Sequence, residues 1–346
     1  MTLDLFVKPR EMTVLRMCRK ESCNEEYMAL PYGGKIAVEE VHEMYGGGAQ
    51  NTAVGLTRLG VSATPIGSIG SDAWSEQILK NLGTEGIATK YIARTKHQTG
   101  FSVILNSFEG ERTVLTHAGA NKLLHSFDET ILTHCDGLFF NHISAENHAT
   151  EEIFAKIKRH FLKFPEKFLA WNPGTEQLHA GAMAFADFFP TVDLLLLNRE
   201  EAELFSGHQA GNRESILNGA VEEFPQSAAD YSEIFRVFLR QGVKHVAITD
   251  GRRGAELCDG KKIYFCGIDE TAARVDTLGA GDAFGSTLLW ALITKKQLPF
   301  ALKCATINAA AVVSQIGAEA GLLSEQDLLA REKNTPILEL EIPFVL

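Results

Sequence analysis

Four short apolar runs constrain the architecture of this 346-residue chain: GLFF (137–140), FLAW (168–171), VDLLLL (192–197) and HVAIT (245–249). Each is closed by a turn-forming or polar residue. Between them lie stretches of helical period. In EEIFAKIKRHFLKF, Ile153, Ile157, Phe161 and Phe164 recur on one face; in YSEIFRVFLRQG, Ile234, Phe235, Phe238 and Leu239 do so before Gly242. Uninterrupted apolar strands alternating with amphipathic helices fit a sheet that is covered on both faces. The pattern predicts an α/β fold with a mostly parallel central sheet.

Two regions break the alternation. Residues 9–45 are rich in strand formers and charges, with a turn at PYGG. Residues 99–119 read as a hairpin, two β-rich arms around Glu109-Gly110-Glu111. Together they predict a small antiparallel sheet projecting from the core, serving as a lid or as an oligomerisation surface. The stretch 207–230 is polar and loop-like.

The bulk numbers narrow the class of partner. A composition of 45% hydrophobic and 22% charged residues is that of an ordinary globular protein. A formal charge of −11 argues against a nucleic-acid groove or an anionic membrane surface. An anionic nucleotide stays admissible, because backbone amides and a metal ion can supply a local positive field. Six scattered cysteines without a CxxC pair suggest free thiols. No apolar run reaches the roughly 18 residues of a membrane span, and MTLDLFVKPR lacks the apolar stretch of a signal peptide. A cytoplasmic protein is expected. The histidines form no HExxH set, and neither GxSxG nor GxxxxGK[ST] occurs.

The segment VDTLGAGDAFGSTLL (275–289) poses a chemical conflict. Gly279, Ala280 and Gly281 ahead of a helix expose backbone N–H groups suited to an anion, yet Asp282 follows at once. A helix start with Asp282 complementing the dipole is one account. A glycine-rich dinucleotide turn is another, but too little chain follows and no acidic residue stands at the required spacing. Phosphoryl transfer resolves the conflict: the amides would hold the transferred group while Asp282 accepts the proton of the attacking hydroxyl.

Three further motifs each allow a plain and a functional account. In GGGAQNTAVGLTRLG (46–60), Asn51 either caps a helix over 52–59 or offers its amide to ligand hydroxyls beside close-approach glycines. Asn198 and Glu201 of NREEAELF form a capping box, or hold hydrated Mg²⁺ at the carboxyl end of a strand. TDGRRG (249–254) is a phosphate-contacting turn or a hairpin connection.

The order of these pieces resembles the ribokinase-like (pfkB-type) carbohydrate kinase family: Gly46-Gly47 to Asn51, Asn198 to Glu201, Thr249 to Gly254, then Asp276 to Asp282. The resemblance covers nearly the whole chain. It implies a ribokinase-like three-layer sandwich with a β lid, the core being 1–8, 46–98 and 120–346 and the lid 9–45 and 99–119. It implies transfer of the ATP γ-phosphoryl group to a sugar hydroxyl, with Asp282 as base and Gly279, Ala280 and Gly281 as anion hole. Asn198 and Glu201 would organise Mg²⁺ and phosphates, while Thr249, Gly251 and Gly254 lie along the nucleotide. Asp4, Gly46, Gly47 and Asn51 would contact the sugar, and Asp276 a monovalent cation, K⁺. The lid is a candidate homodimer surface.

Departures from the family pattern carry expectations too. Only three residues precede Asp4, so that either the start is late or the first strand is truncated, and a truncated strand would hold Asp4 loosely. WNPG (171–174) stands where relatives carry Asp-x-Asn. A nucleoside kinase of the same family would need an apolar slot under the lid, to which Phe101 and Phe108 are candidates. A ligand sensor that has lost catalysis is the rival from another class.

Overall fold

The computed structural model describes residues 1–19, 22–107, 112–123, 127–141, 143, 149–212, 229–269, 272–337 and 339–346. In chain order the strands are β1 (Thr2–Pro9), β2 (Thr13–Arg19), β3 (Ser22–Ala29), β4 (Val38–Gly46), β5 (Gly67–Ile69), β6 (Ile92–Arg94), β7 (Gly100–Asn106), β8 (Arg112–His117) and β9 (Gly137–Phe140). They continue as β10 (Phe168–Trp171), β11 (Leu194–Asn198), β12 (Gly211–Asn212), β13 (Ala229–Asp230), β14 (His245–Thr249), β15 (Ala255–Cys258), β16 (Lys262–Cys266) and β17 (Glu339–Pro343). The helices are α1 (Gly48–Arg58), α2 (Ala73–Thr84), α3 (Ala149–Lys163), α4 (Thr175–Ala180), α5 (Arg199–Ser206), α6 (Ser232–Leu239), α7 (Ala280–Ile293), α8 (Leu298–Val313) and α9 (Glu325–Asn334).

A seven-stranded sheet, ordered β17-β16-β15-β14-β11-β10-β9, forms the middle layer. The four apolar runs become β9, β10, β11 and β14, which pair in parallel. Their unbroken apolar character has a direct cause. Leu195, Leu197, Val246 and Ile248 enter one core with Ile153 of α3, Phe205 of α5 and Phe235 of α6. Their neighbours Leu194, Leu196 and Ala247 enter a second core with Phe284 and Leu288 of α7 and Ala301 of α8. Each strand therefore buries both sides, and the result is three layers. The antiparallel strands β15, β16 and β17 extend this sheet, so the 249–254 turn leads into a hairpin. Trp171 is fully buried and packs against Phe140, Phe154, Phe188 and Phe205, so this part of WNPG belongs to the core.

A smaller sheet has the order β4-β1-β7-β8, and β2 pairs with β3 as a separate hairpin. This corrects the placement of residues 1–8 in the core. An antiparallel ladder with β4 on one side and a parallel ladder with β7 on the other commit β1 to the small sheet. Asp4 sits in mid-strand opposite Met44 and Ser102 and is buried, so it is firmly held rather than loose. The hairpin predicted over 99–119 is β7–β8, with its tip at 109–111 outside the described residues. Of the polar stretch 207–230, residues 211–212 and 229–230 pair as β12 and β13, and 213–228 lie outside the described residues.

No described helix is long and apolar enough to cross a membrane. Cys135, Cys258, Cys266 and Cys304 are free, and burial pushes the thiols of Cys258, Cys266 and Cys304 up to about 12. Those three are therefore inert fillers of the core rather than nucleophiles.

Helices α1 and α7 approach closely because Gly55 faces Ser286: a Cβ at 55 would lie 2.5 Å from Ser286 Oγ and 3.1 Å from its Cβ. A Gly55→Val variant forces that contact apart. The expected cost is about 1–3 kcal/mol of stability, the range for overpacking, read by denaturant titration. An unchanged midpoint would show that the two helices are not in register through this residue.

Candidate active site

The turn into α7 is shaped by one backbone constraint. Gly279 has φ +77°, and a Cβ there would lie 2.4 Å from Ala318 Cβ and 2.6 Å from Ala318 Cα. Only glycine accepts both the left-handed conformation and the contact. Gly279 thereby caps α7 without a side chain, and helix geometry leaves the first-turn amides without intrahelical carbonyl partners. The Ala280 amide reaches the Thr277 carbonyl at a long 3.4 Å. Gly281 is exposed, with nothing within 4 Å of where its Cβ would be. The positive end of the helix dipole lies at this turn.

Asp282 lies in the same first turn. Its Oδ2 accepts a hydrogen bond of 2.7 Å from Asn51 Nδ2. This corrects the capping account of Asn51: α1 begins at Gly48 behind the Gly47 cap (φ +97°), so Asn51 is already in the first turn. Its side chain is spent across the cleft instead. Burial holds the Asp282 carboxyl above the usual carboxylate range, opposed by the Asn51 hydrogen bond and reinforced by the Asp4 charge. The position of a Cβ at Gly48 lies 2.7 Å from Asn141 Nδ2 and 3.3 Å from Asp282 Oδ1. The end of β9, the start of α1 and the start of α7 thus converge on one point. Asn51 Oδ1 and Asn141 Oδ1 are both buried without a hydrogen-bond donor among the described residues. Buried acceptors of that kind call for a donor.

The small sheet brings a second carboxylate, that of Asp4, close enough for its charge to act on Asp282. Asp4 is also raised by burial, while Ser102 and Thr2 hydroxyls donate to it and Asp276 repels it. A Cβ at Gly46 would lie 2.1 Å from Asp4 Oδ2, so glycine there makes room for the carboxylate. Phe101 points to the opposite face of its strand, packing against Trp74 (5.0 Å between centroids) and His117 (5.2 Å). By strand alternation it lies on the face away from Ser102 and Asp4. Phe108 lies outside the described residues.

Asn198 and Thr249 are paired in register at the carboxyl ends of β11 and β14. Asn198 Oδ1 accepts from Glu201 N and Glu201 Oε2 accepts from Asn198 N, both at 2.8 Å, so the capping box is formed. Burial raises the Glu201 carboxyl. Gly251 (φ +52°) stands beside open space, whereas a Cβ at Gly254 (φ +95°) would collide with the Cys266 carbonyl at 2.2 Å. The turn is fixed by Asp250, which accepts from Tyr231 Oη at 2.5 Å and from Arg253 through two bonds of 2.7 Å. Among the described residues this group shares the carboxyl edge of the sheet with Asp282 without touching it.

Asp276 has both carboxylate oxygens engaged within the chain. Oδ1 accepts from the Arg112 guanidinium and from Leu278 N (3.0 Å), and Oδ2 from Gly317 N (3.1 Å). The 317–319 segment in turn grips α1. Glu319, raised by burial, accepts from Gln50 Nε2 (2.7 Å) and Asn81 Nδ2 (2.9 Å), and its carbonyl accepts from Arg58 (2.7 Å). Sequence reasoning missed Arg112, Asn141, Gly317 and Glu319. Only Asn141 left a signal, as a polar residue closing an apolar strand.

Residues 21–325 match the model of the pfkB family carbohydrate kinases. A ribokinase of Haemophilus influenzae is 25% identical over 88% of this chain and 94% of its own length. Among solved structures, Arabidopsis thaliana ribokinase complexed with ribose and ATP superposes with a TM-score of 0.73 at 20% identity, covering 96% of each chain. A Burkholderia thailandensis nucleoside kinase in complex with inosine gives 0.71 at 16% identity, again covering 96% of each chain.

Replacing Gly279 by Ala imposes both the strained φ and the Ala318 clash. A large loss of turnover is expected, on the order of 10²-fold for an ångström-scale displacement of the turn, together with a lower melting temperature. A compensating Ala318→Gly change should not rescue it, because Ala318 Cα alone lies 2.6 Å from the added atom. Rescue of turnover in the double variant would show that the backbone contact does not fix the turn.

Proposed function

Since the chain belongs to the pfkB family of carbohydrate kinases, phosphotransferases with an alcohol group as acceptor, we propose that it is an ATP-dependent kinase of a small neutral sugar, acting on a primary alcohol with Asp282 as general base. The observation that carries this reading is the Asn51–Asp282 pair, set at the mouth of a glycine-lined cleft beside the open amides of α7. Acceptor specificity follows from charge. The charge of Asp276 acts on Asp4 and that of Asp4 on Asp282, and Asn51 and Asn141 add buried carbonyl acceptors. A pocket so rich in acceptors suits a ligand with many hydroxyl donors and repels sugar acids and sugar phosphates.

In this mechanism Asp4 and Asn51, with Gly46 and Gly47 giving close approach, orient the acceptor hydroxyls. Asp282 takes the proton of the attacking alcohol, its raised carboxyl being a stronger base than an exposed one. The amides of 279–281 stabilise the charge on the transferred group, and the lid excludes water. Asn198, Glu201, Thr249, Gly251 and Gly254 line the nucleotide side. The second oxygen of Glu201 is compatible with hydrated Mg²⁺, which would neutralise phosphate charge when bound. Phe101 turned away from the cleft favours a sugar over a nucleoside. The exposed Leu15, Val41, Val114 and Leu115 of the lid region support a homodimer through the lid.

The test is ADP release from Mg-ATP across a panel of sugars, sugar acids and nucleosides. Neutral sugars should give the strongest signal, and a nucleoside preference would overturn the acceptor assignment. The Asp282→Asn variant should keep fold and ATP affinity while losing about 10²–10⁴ in turnover. Wild-type turnover in that variant would remove Asp282 from the role of base.

A further inference from the structure

The carboxylate that the family pattern reserves for a monovalent cation already has one, and it is covalently part of the lid. Arg112 opens β8 of the small sheet, and Asp276 precedes the glycine turn of α7, 164 residues later. Asp276 is buried to 9% exposure, and the Arg112 side chain keeps only 26%. With Leu278 N on the same oxygen and Gly317 N on the other, the described groups engage both oxygens of the carboxylate. A guanidinium is permanently charged and planar. At this place it sets a positive charge directly against a buried carboxylate that lies close enough to act on Asp4. A fixed positive charge against Asp276 and a donor on each of its oxygens disfavour a free K⁺ beside it.

We propose that Arg112 is a positioning residue that substitutes for the monovalent cation. It delivers the charge from the lid to Asp276, so that the 276–281 turn is set only when the lid lies over the acceptor site. This extends the kinase reading and rests on it for its kinetic readouts. Two consequences separate it from an ordinary ion pair. Turnover of the native protein is indifferent to K⁺, and loss of the guanidinium creates a vacancy that K⁺ can enter.

The experiment measures kcat and KM at constant ionic strength in K⁺, Na⁺ or tetramethylammonium, alongside melting temperature in the same salts. Native turnover should vary by less than about twofold, with screening held fixed, and the melting temperature should not follow K⁺. Arg112→Ala should lower kcat by about ten- to 10²-fold, the scale of a misplaced reacting group, with KM for ATP less affected. In that variant K⁺, but not tetramethylammonium, should restore kcat and raise the melting temperature. Arg112→Lys keeps a lid charge and should stay insensitive to K⁺. A native enzyme activated tenfold or more by K⁺, or an Arg112→Ala variant that matches the native protein in kcat and in K⁺ response, overturns the proposal. If no acceptor on the panel is phosphorylated, the kinase reading fails, and K⁺-dependent melting confined to Arg112→Ala still decides the cation substitution.

Discussion

One hydrogen bond, from Asn51 Nδ2 to Asp282 Oδ2 at 2.7 Å, joins two helix starts that are 231 residues apart in sequence. Burying a carboxylate costs several kcal/mol after relaxation, whereas a hydrogen bond to a charged group returns about 1.5–3 kcal/mol. Burial therefore wins, and the carboxyl of Asp282 lies above its ordinary range. The hydrogen bond limits that rise and aims the carboxylate. The proposed role as general base draws on that balance, since a raised carboxyl is the stronger proton acceptor.

Everything around this bond serves to hold the two helix starts in register. Gly55 lets α1 approach α7 at Ser286, and Gly279 lets the turn of α7 lie against Ala318. Glu319 ties the same loop to Gln50, the residue before Asn51, and Gly317 ties it to Asp276. Arg112 adds the small sheet to this set of contacts. These buried polar groups form separate hydrogen-bonded sets joined through the chain, and removing a member leaves its partner unpaired at a cost of about 1–3 kcal/mol.

The sheet and its helices were legible because their causes are local. Strands buried on both faces must be apolar throughout, as in LLLL before Asn198, and helices with one buried face repeat Ile153, Ile157 and Phe161 at helical spacing. The glycine turn and Asp282 were legible for the same reason, since a backbone requirement selects residue types within a few positions. What escaped was set by distant partners. Nothing in TLDLF states that β4 and β7 will claim it, and nothing in the 46–60 stretch states that Asn51 points at residue 282 rather than capping its own helix. The antiparallel edge of the large sheet depends on residues 339–343 returning to β16. Arg112 reads locally as one more charge beside a hairpin tip, and only the fold brings Asp276 to it.

The most direct test of a base tuned by burial against Asn51 is the pH dependence of kcat/KM for the native enzyme and for Asn51→Ala. In the proposed role Asp282 must be ionised to accept a proton, so the rate is expected to fall on the acid side as it is protonated. The native acid limb should titrate above the ordinary aspartate value of about 3.9. Removing the hydrogen bond that stabilises the charged form should move the limb further up in Asn51→Ala. An acid limb at the ordinary value, or one that stays put or moves down in Asn51→Ala, would contradict the account.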